Sequence, residues 1–361
     1  MKLKDICEGI TDGSHNPPIG SEKSCYLMLS SKNIFDDQIT IDDPRYLTEE
    51  QFFSENKRTN IKAGDVLMTI VGTVGRTAVV NAEIGNITLQ RSVAVLHPRH
   101  DVCISRYLMY ILQSKKEVFE RESHGVAQKG LYLKQLSDID ITLPELEVQR
   151  KIINNLDRVN LILRKRNREL SLLDNLIKAR FVEMFGDYRT NNREFETHCG
   201  SELFKFSSGK FLPESKRFYD GVPVYGGNGI AFFTDEPLID YPTVIIGRVG
   251  AWCGNVRTVI EPVWITDNAI FIKEFKTNKF TLEFITELMQ VMDFHQYADF
   301  SGQPKITQKP LENLSYLTPP LEMQNEFTDF VKQIDKSKVA VQKALDEAQL
   351  LFDSLMQEYF G

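Results

Sequence analysis

The stretch Leu143-Pro144-Glu145-Leu146-Glu147-Val148-Gln149 returns 175 residues later as Thr318-Pro319-Pro320-Leu321-Glu322-Met323-Gln324. The same offset continues without a gap to the end of the chain, where it pairs Gly186 with Gly361. Self-similarity over so long a segment is the signature of a structural unit that occurs twice.

The offset also holds upstream of this segment. It pairs Gly72-Thr73-Val74-Gly75 with Gly247-Arg248-Val249-Gly250, and Gln128 with Gln303. Separated motifs that agree on one offset predict a chain in which a globular domain followed by a helix occurs twice. The predicted boundaries are 1–143 and 187–318 for the domains, and 144–186 and 319–361 for the helices.

The repeated segment has the heptad pattern of a helix with one apolar stripe. Residues 145–186 carry nine Lys/Arg and six Asp/Glu, whereas residues 320–361 carry four and eight. Opposite net charges favour association of the two helices, and a pseudo-two-fold arrangement of the repeats would make the pair antiparallel. Two surface helices that pack separately are the alternative. The predicted pairing positions are Ile152, Leu156, Val159, Leu163, Leu170, Leu173 and Ile177 in the first helix, and Phe327, Val331, Ile334, Val341, Leu345, Phe352 and Leu355 in the second.

Local signals mark the ends of these helices. Thr142 with Glu145 has the spacing of a capping box, and Pro144 suits a first helical turn. Gly186 and Gly361 stand where a C-terminal glycine cap is expected. The first helix is therefore predicted to start at about Pro144.

The globular halves have the pattern of mixed α/β domains. Short β-branched runs at 66–71, 77–80 and 92–96 precede a helical stretch at 105–120. The runs at 243–246, 255–260 and 269–272 repeat that order before a helix from Leu282. We therefore predict two similar α/β domains joined by a two-helix antiparallel coiled coil.

Composition bounds the class of protein. With 361 residues the chain is long enough for about two domains. It has no apolar run of about 20 residues and no secretory signal, which predicts a cytoplasmic protein without a membrane segment. A net charge of −7 argues against a protein that grips DNA unaided. The cysteines form no metal or disulfide pattern and are expected to be reduced thiols: Cys7, Cys25, Cys103, Cys199 and Cys253.

The duplicated Pro-Leu-Glu-x-Gln helix that ends in Phe-Gly resembles the specificity subunits of type I restriction-modification systems. Ile10-Thr11-Asp12-Gly13-Ser14-His15 and Pro223-Val224-Tyr225-Gly226-Gly227-Asn228-Gly229 support the resemblance, which covers essentially the whole chain. It implies that each domain reads one half of a bipartite target in double-stranded DNA and that the helices set the gap. It also implies two methyltransferase subunits and restriction/translocase subunits as partners. S-adenosylmethionine, ATP and Mg²⁺ would then bind those partners and not this chain.

The residues themselves argue against catalysis. Asn16-Pro17-Pro18-Ile19 approaches the tetrapeptide of amino-methyltransferases but lacks its aromatic residue, which stacks on a flipped base. The sequence has no phosphate-binding loop of the form Gly-x-x-x-x-Gly-Lys-Ser/Thr, and its histidines and acids lack metal-ligand spacing. The resemblance and these observations predict a non-catalytic subunit with no metal or cofactor of its own.

DNA contacts are expected in loops that combine glycine, amides and cations, because glycine permits close backbone approach and Arg suits phosphate or guanine edges. Structural turns are the alternative for these glycines. Gln128-Lys129 and Gln303 with Lys305 recur in both halves, which favours a shared role. Mid-helix cations such as Arg164, Arg166 and Lys338 are further candidates for phosphate contacts. The predicted DNA-binding residues are Ser14, His15, Gly72, Thr73, Gly75, Arg76, Gln128, Lys129, Lys210, Lys216, Arg217, Tyr225, Gly227, Asn228, Arg248, Gln303 and Lys305.

Two other classes of function stay open. A coiled-coil adaptor that does not bind DNA would also explain the helices and the acidity. The chain also suits the specificity subunit of a related combined restriction-methylation system, whereas a fused enzyme of that kind would need catalytic motifs that the sequence does not contain.

Overall fold

The structure is a computed structural model that describes residues 1–123 and 130–361. It forms two compact units, the first made of Met1–Lys165 with Leu345–Gly361 and the second of Arg166–Ala344. Each unit therefore combines one globular domain with parts of both long helices. The predicted residues Gln128 and Lys129 lie outside the described residues.

The first domain and the helix that follows it contain nine strands and five α-helices among the described residues. They are β1 (Cys7–Asp12), β2 (Tyr26–Leu29), β3 (Ile34–Phe35), β4 (Gln38–Ile39), β5 (Arg45–Leu47), α1 (Glu49–Thr59), β6 (Val66–Thr69), β7 (Thr77–Val79), β8 (Asn86–Leu89), β9 (Val93–Pro98), α2 (Ser105–Ser114), α3 (Lys116–Glu122), α4 (Leu133–Ser137) and α5 (Leu146–Phe185).

Two larger sheets and the β3–β4 hairpin build the first domain. An antiparallel sheet has the strand order β1-β9-β6-β7, and a smaller sheet, β5-β2-β8, contains the parallel pair β2 and β8. Successive side chains of a strand point to opposite faces. Met68 therefore packs in the core that contains α2, whereas its neighbour Leu67 packs in a second core with Leu29 and Leu89 of the smaller sheet.

The second domain and its helix contain the remaining elements. They are β10 (Thr197–Cys199), α6 (Gly200–Leu203), β11 (Phe204–Ser208), β12 (Val222–Gly226), β13 (Gly229–Thr234), β14 (Thr243–Gly247), β15 (Val256–Val259), β16 (Trp264–Ile265), β17 (Ala269–Phe275), α7 (Leu282–Val291), α8 (Gln308–Asn313), β18 (Ser315–Leu317) and α9 (Leu321–Phe360).

The second domain repeats the topology of the first. Its larger sheet has the order β11-β17-β14-β15, and its smaller sheet, β13-β12-β16, again contains one parallel pair, β12 and β16. The first domain adds the β3–β4 hairpin and α1 within its first half. The predicted mixed α/β class and the repeat of the domain are confirmed.

The predicted pairing of the glycine loops is wrong by three residues. Val71 bridges Gly130, and Val249 bridges Lys305, so Val71 and Val249 are equivalent. Gly72 therefore corresponds to Gly250, and both have the positive φ that glycine tolerates, 84° and 80°. The ungapped offset fails here because the two domains differ in length between the motifs: equivalent residues are 178 apart at Val71 and Val249 but 175 apart at Gly130 and Lys305.

The long helices begin later than predicted. The Glu145 carbonyl accepts the backbone N–H groups of Val148 and Gln149, at 2.9 and 3.0 Å, so α5 starts at Leu146 and Pro144 precedes it. At the other end Gly186 has a φ of 74° and donates to the Val182 carbonyl, which confirms the predicted glycine cap. The observed start differs from the predicted one because the Gln149 side chain, and not a Thr142–Glu145 capping box, bonds to the backbone of this turn.

Within each unit the two helical segments pack together and against the domain. In the second unit Asp174 pairs with Lys338 and Arg180 with Glu326, each at 2.6 Å. Rising numbers in α5 meet falling numbers in α9, so these segments are antiparallel. In the first unit the Asn155 amide donates to the Tyr359 hydroxyl at 2.9 Å.

Candidate nucleic-acid interface

The end of β1 carries the first group of predicted DNA-binding residues. Ser14 follows Gly13, whose missing side chain allows the backbone to cross the Leu89 carbonyl; a Cβ there would lie 2.2 Å from that oxygen. The Ser14 N–H donates to the same carbonyl at 2.8 Å. His15 is exposed, and its Nε2 lies 2.7 Å from Oδ2 of the buried Asp12.

Lys210 occupies the position of Ser14 in the second domain. It follows Gly209, where a Cβ would lie 2.3 Å from the Ile265 carbonyl oxygen, and its N–H donates to that carbonyl at 2.8 Å. Ser14 and Lys210 belong to dissimilar sequence motifs, yet the fold places them at the same point of each domain. The two domains therefore present different side chains, Ser and Lys, at one shared surface position.

The loop after β6 is a folded turn with one accessible face. Gly72 and Thr73 are exposed, whereas Gly75 is buried against Lys116. Arg76 is only partly exposed, because its guanidinium lies over the Phe35 ring, 5.2 Å from the centroid. The glycines here serve a structural turn, and Gly72 with Thr73 forms the part of it that a ligand can reach.

Three predicted segments come together in the second domain. A Cβ on Gly227 would lie 3.5 Å from Cα of Gly247, so the Tyr225–Asn228 segment packs on the loop that contains Arg248. On its other side this loop pairs with the Gln303–Lys305 segment, since Gly250 N–H donates to the Pro304 carbonyl at 2.9 Å. Asn228, Gln303 and Lys305 are exposed there.

Lys216 and Arg217 do not join this group. Lys216 pairs with Glu236 at 2.6 Å, and Arg217 lies over the Phe232 ring at 4.6 Å. The β12–β13 hairpin places them near its open end, whereas Tyr225 and Asn228 are at its turn. The sequence could not separate them because they are close in number and differ only in which end of the hairpin they reach.

The predicted pairing residues of the helices are buried or half-buried in every case. Ile152 and Leu156 belong to the core of the first unit, against which Phe352 and Leu355 pack. Ile177, Phe327 and Val331 belong to the core of the second unit. The stripe thus packs on the domains as well as between helices, because each helix ends beside the other repeat's domain.

Three of the mid-helix cations already have partners. Arg164 pairs with Asp37 at 3.1 Å, Arg166 with Glu169 at 2.7 Å, and Lys338 with Asp174. Ion pairing lowers the positive charge these side chains offer to phosphate.

An ion-pair network fixes the first domain on its helix. Arg106 of α2 makes a bidentate contact with buried Asp37, at 2.5 and 2.8 Å, and also binds Asp157 of α5 at 2.5 Å. Burial acts to lower the pKa of Arg106, but the hydrogen bonds to Asp37 and Asp157 outweigh it and raise the pKa above its ordinary value. At the equivalent place in the second domain the polarity is reversed, since Glu283 lies 3.8 Å from Lys332.

Arg58 is a residue that the sequence reasoning missed. It lies in the last turn of α1, and its guanidinium contacts Asp12 directly and lies 3.5 Å from Nε2 of His15. No local motif announces this cluster, because Arg58 and Asp12 are 46 residues apart and meet only through the fold.

Within residues 1–123 and 130–361 we looked for metal sites, membrane spans and disulfides. No group of three or more His, Cys, Asp or Glu in that part of the chain has the arrangement of a metal site. Its helices include none with the length and apolarity of a membrane span. All five cysteines are free thiols, three of them buried.

Comparison with known proteins identifies the family. The sequence profile of the type I restriction modification DNA specificity domain matches residues 1–172 and again residues 192–348. The two matches cover most of the chain and follow its two repeats. The chain belongs to this family.

Individual relatives agree with that assignment. The putative type I restriction enzyme MjaX specificity subunit of Methanocaldococcus jannaschii is 23% identical over 385 residues, covering 95% of this chain and 89% of that protein. The EcoBI specificity subunit of Escherichia coli is 25% identical over 188 residues, which are 50% of this chain and 38% of that protein. The EcoprrI specificity subunit of the same organism is matched over 36% of its length, so the chain spans little more than a third of these two curated relatives.

Solved structures share the fold. The S subunit of a type I restriction-modification system from M. genitalium has 16% identity and a TM-score of 0.59, and the match covers 100% of this chain and 95% of that one. A chain from a study of complex assembly and conformational transition in the type I R-M system has a TM-score of 0.50 at 16% identity, with 100% and 96% coverage. At this level of identity the likeness is one of fold.

Proposed function

We infer that this protein is the DNA-reading subunit of a type I restriction-modification complex, in which each domain recognises one half of a bipartite target. The observation that carries the proposal is that two domains of the same fold have different side chains at equivalent positions. The two domains have the same topology but present Ser14 and Lys210 at one equivalent surface position. At a second equivalent position the first domain has the buried Ile70, whereas the second has the half-buried Arg248. Base edges are distinguished by side chains, so equal folds with unequal surfaces suit two different half-sites.

The long helices would set the gap between the half-sites and dock two methyltransferase subunits. Adenine methylation with S-adenosylmethionine, and ATP- and Mg²⁺-dependent cleavage by restriction/translocase subunits, would belong to those partners. This chain would contribute recognition alone. We expect no catalytic activity of this chain because its sequence lacks the corresponding motifs and because of the family to which it belongs.

A domain exchange tests modular reading. Residues 187–318 are replaced by the equivalent domain of another specificity subunit, and the methylated sequences are mapped by long-read sequencing after coexpression with the methyltransferase subunit. One half of the target should change while the other half and the gap persist. Loss of both halves in a folded chimera, or no methylation at all by the parent complex, would contradict the proposal and favour an adaptor role.

The charge of the chain makes a second test available. With a net charge of −7, the isolated subunit should bind its target weakly at physiological salt, because few phosphates can be neutralised. Addition of the methyltransferase subunit should restore tight binding in a gel-shift assay. Nanomolar specific binding by the purified chain alone would show that local basic surfaces suffice.

A further inference from the structure

The contact between Arg58 and Asp12 restricts the orientation of an arginine side chain at the surface of the first domain. The Asp12 side chain is 9% exposed, whereas the Arg58 side chain is 54% exposed and the His15 side chain 50% exposed. A buried carboxylate therefore binds two outward-facing groups at once. Such a carboxylate is stabilised by charge-assisted hydrogen bonds, and it restricts the orientations that the guanidinium can adopt.

Orientation is what a base-reading arginine needs. The guanidinium is a planar fork with five N–H donors, and one contact to Asp12 leaves the others available. A fork whose direction is set before binding loses less side-chain entropy when it meets a guanine edge, which presents two acceptors, O6 and N7. Asp12 would act as a positioning residue, and Arg58 as the reader.

The surroundings of Arg58 are shaped for a ligand with negative charge. Arg91 is exposed, and its backbone N–H donates to the Ser14 carbonyl at 2.9 Å, which places a second cation at the start of this loop. Farther along the loop, Arg45 donates to the Pro18 carbonyl and Ile19 is 90% exposed. Two further arginines and an exposed apolar side chain therefore adjoin the loop that carries His15.

In the second domain a different element supplies an arginine near the equivalent position. Asp12 and Ser208 are equivalent, because each precedes the glycine that crosses the smaller sheet. Ser208 lines a cavity of about 360 Å³ together with Arg248, Gln308 and Lys309. Arg248 corresponds to Ile70 of the first domain, since their carbonyls accept from Ile306 and Leu131 respectively. Ile70 is buried and apolar, so the first domain obtains its guanidinium from α1 instead.

We propose that Arg58, oriented by Asp12 and flanked by His15, reads a guanine in the half-site of the first domain, and that Arg248 is its counterpart in the second. The inference rests on the proposed function and adds which residues select the DNA sequence of each half-site. It also explains why α1 is present in the first domain alone: α1 delivers a reader that the loop after β6 does not provide.

The experiment uses the full chain with its methyltransferase subunit in a host without adenine methylation. The parent target is mapped first, and then the targets of R58A, R58K and D12N. R99A is the matched control, because Arg99 is an exposed arginine of the same unit that pairs with Asp101 outside this cluster. The midpoint of thermal unfolding of each variant shows whether the domain is intact.

R58A should lower discrimination at one guanine position of the first half-site by about 10- to 100-fold, with the second half-site unchanged. R58K keeps the charge but not the fork, so it should relax the same position, and D12N should relax it to a smaller extent. R99A should keep the parent target.

Other outcomes overturn the inference. Uniformly weaker methylation by R58A with an unchanged target, rescued by R58K, would make Arg58 a phosphate contact. An unchanged R58A target at unchanged yield would remove Arg58 from the interface. Either result leaves the bipartite target of the parent complex in place, whereas failure of the proposed function would abolish that target before any variant is compared.

Discussion

Gln149 and Gln324 make the same three hydrogen bonds in the two units. The Gln149 amide oxygen accepts from Ile104 N–H at 2.9 Å, and its nitrogen donates to the Val102 and Pro144 carbonyls at 2.8 Å. The Gln324 amide does the same with Thr281, Lys279 and Pro319 at 2.9, 2.8 and 2.8 Å. The repeated Pro-x-x-x-x-Gln motif is therefore a structural joint, which ties the start of each long helix to the start of the domain's main helix.

Replacing the joint should destabilise one unit. Gln149→Leu leaves the Ile104 N–H and two carbonyls without partners in a fully buried place, which should lower the free energy of unfolding by about 2–4 kcal/mol. Chemical denaturation measures the loss. Gln333→Leu, on the exposed face of α9, is the control and should change stability by less than about 0.5 kcal/mol. Equal effects of both substitutions would show that the joint contributes little.

Phe185 and Phe360 are equivalent helix ends with unequal burial. Phe185 is fully buried with its ring centroid 4.7 Å from that of Phe284, whereas Phe360 is half-buried, 5.4 Å from Tyr107. Phe185→Ala should cost about 3–5 kcal/mol, and Phe360→Ala about 1–3 kcal/mol because less apolar surface is lost.

Hydrogen exchange locates these two effects. Phe185→Ala should raise exchange mainly in 166–344, and Phe360→Ala mainly in 1–165 and 345–361. Faster exchange of 166–344 in Phe360→Ala, with the first unit unchanged, would contradict the division into units.

His97 should make the first unit sensitive to pH. Its Nδ1 lies 2.8 Å from Oδ1 of Asp65, and this hydrogen bond raises the pKa of His97 despite partial burial. A raised pKa in the folded state means that the stabilisation is complete below the unfolded value of about 6.5 and is lost as pH rises through the folded pKa. The free energy of unfolding of the parent relative to His97→Gln should therefore fall as the pH rises from about 6.5 through the folded pKa. A difference that does not vary over this range would show that the pair is not coupled to protonation.

Matched insertions test whether the helices set the gap. A heptad is inserted after Lys165 and another after Ala344, the points where each helix passes from one unit to the other. Seven helical residues add about 10 Å, which is about three base pairs at roughly 3.4 Å each. We expect a gap one to three base pairs longer and unchanged half-sites in the methylation map, because DNA bending and domain rotation absorb part of the change.

A single insertion is the control for register. It should break the pairing of the two stripes and inactivate the complex. An active double-insertion complex that methylates at the original gap would show that the helices join the domains without measuring the distance between them.

The sequence by itself determined the repeat, the long helices, the mixed α/β class and the glycine cap at Gly186. These features are written locally, as an offset between motifs, a heptad period or one residue with a special backbone conformation, so they are readable without contacts. The domain boundaries and the DNA-binding residues stay predictions, of which the structure brings together those around Gly227, Arg248 and Gln303.

Only the tertiary structure decided which distant residues meet. Arg58 reaches Asp12 because α1 packs beside the sheets, and no period or motif in the sequence records that approach. The equivalence of Gly72 with Gly250, not Gly247, depends on the pairing of Val71 and Val249 with their partner segments. The later helix start depends on Gln149, whose side chain bonds to residues 45 and 47 positions away along the chain. In each case the stabilising contacts join segments that are far apart in the sequence. The spacing of residues within one segment therefore does not predict these contacts.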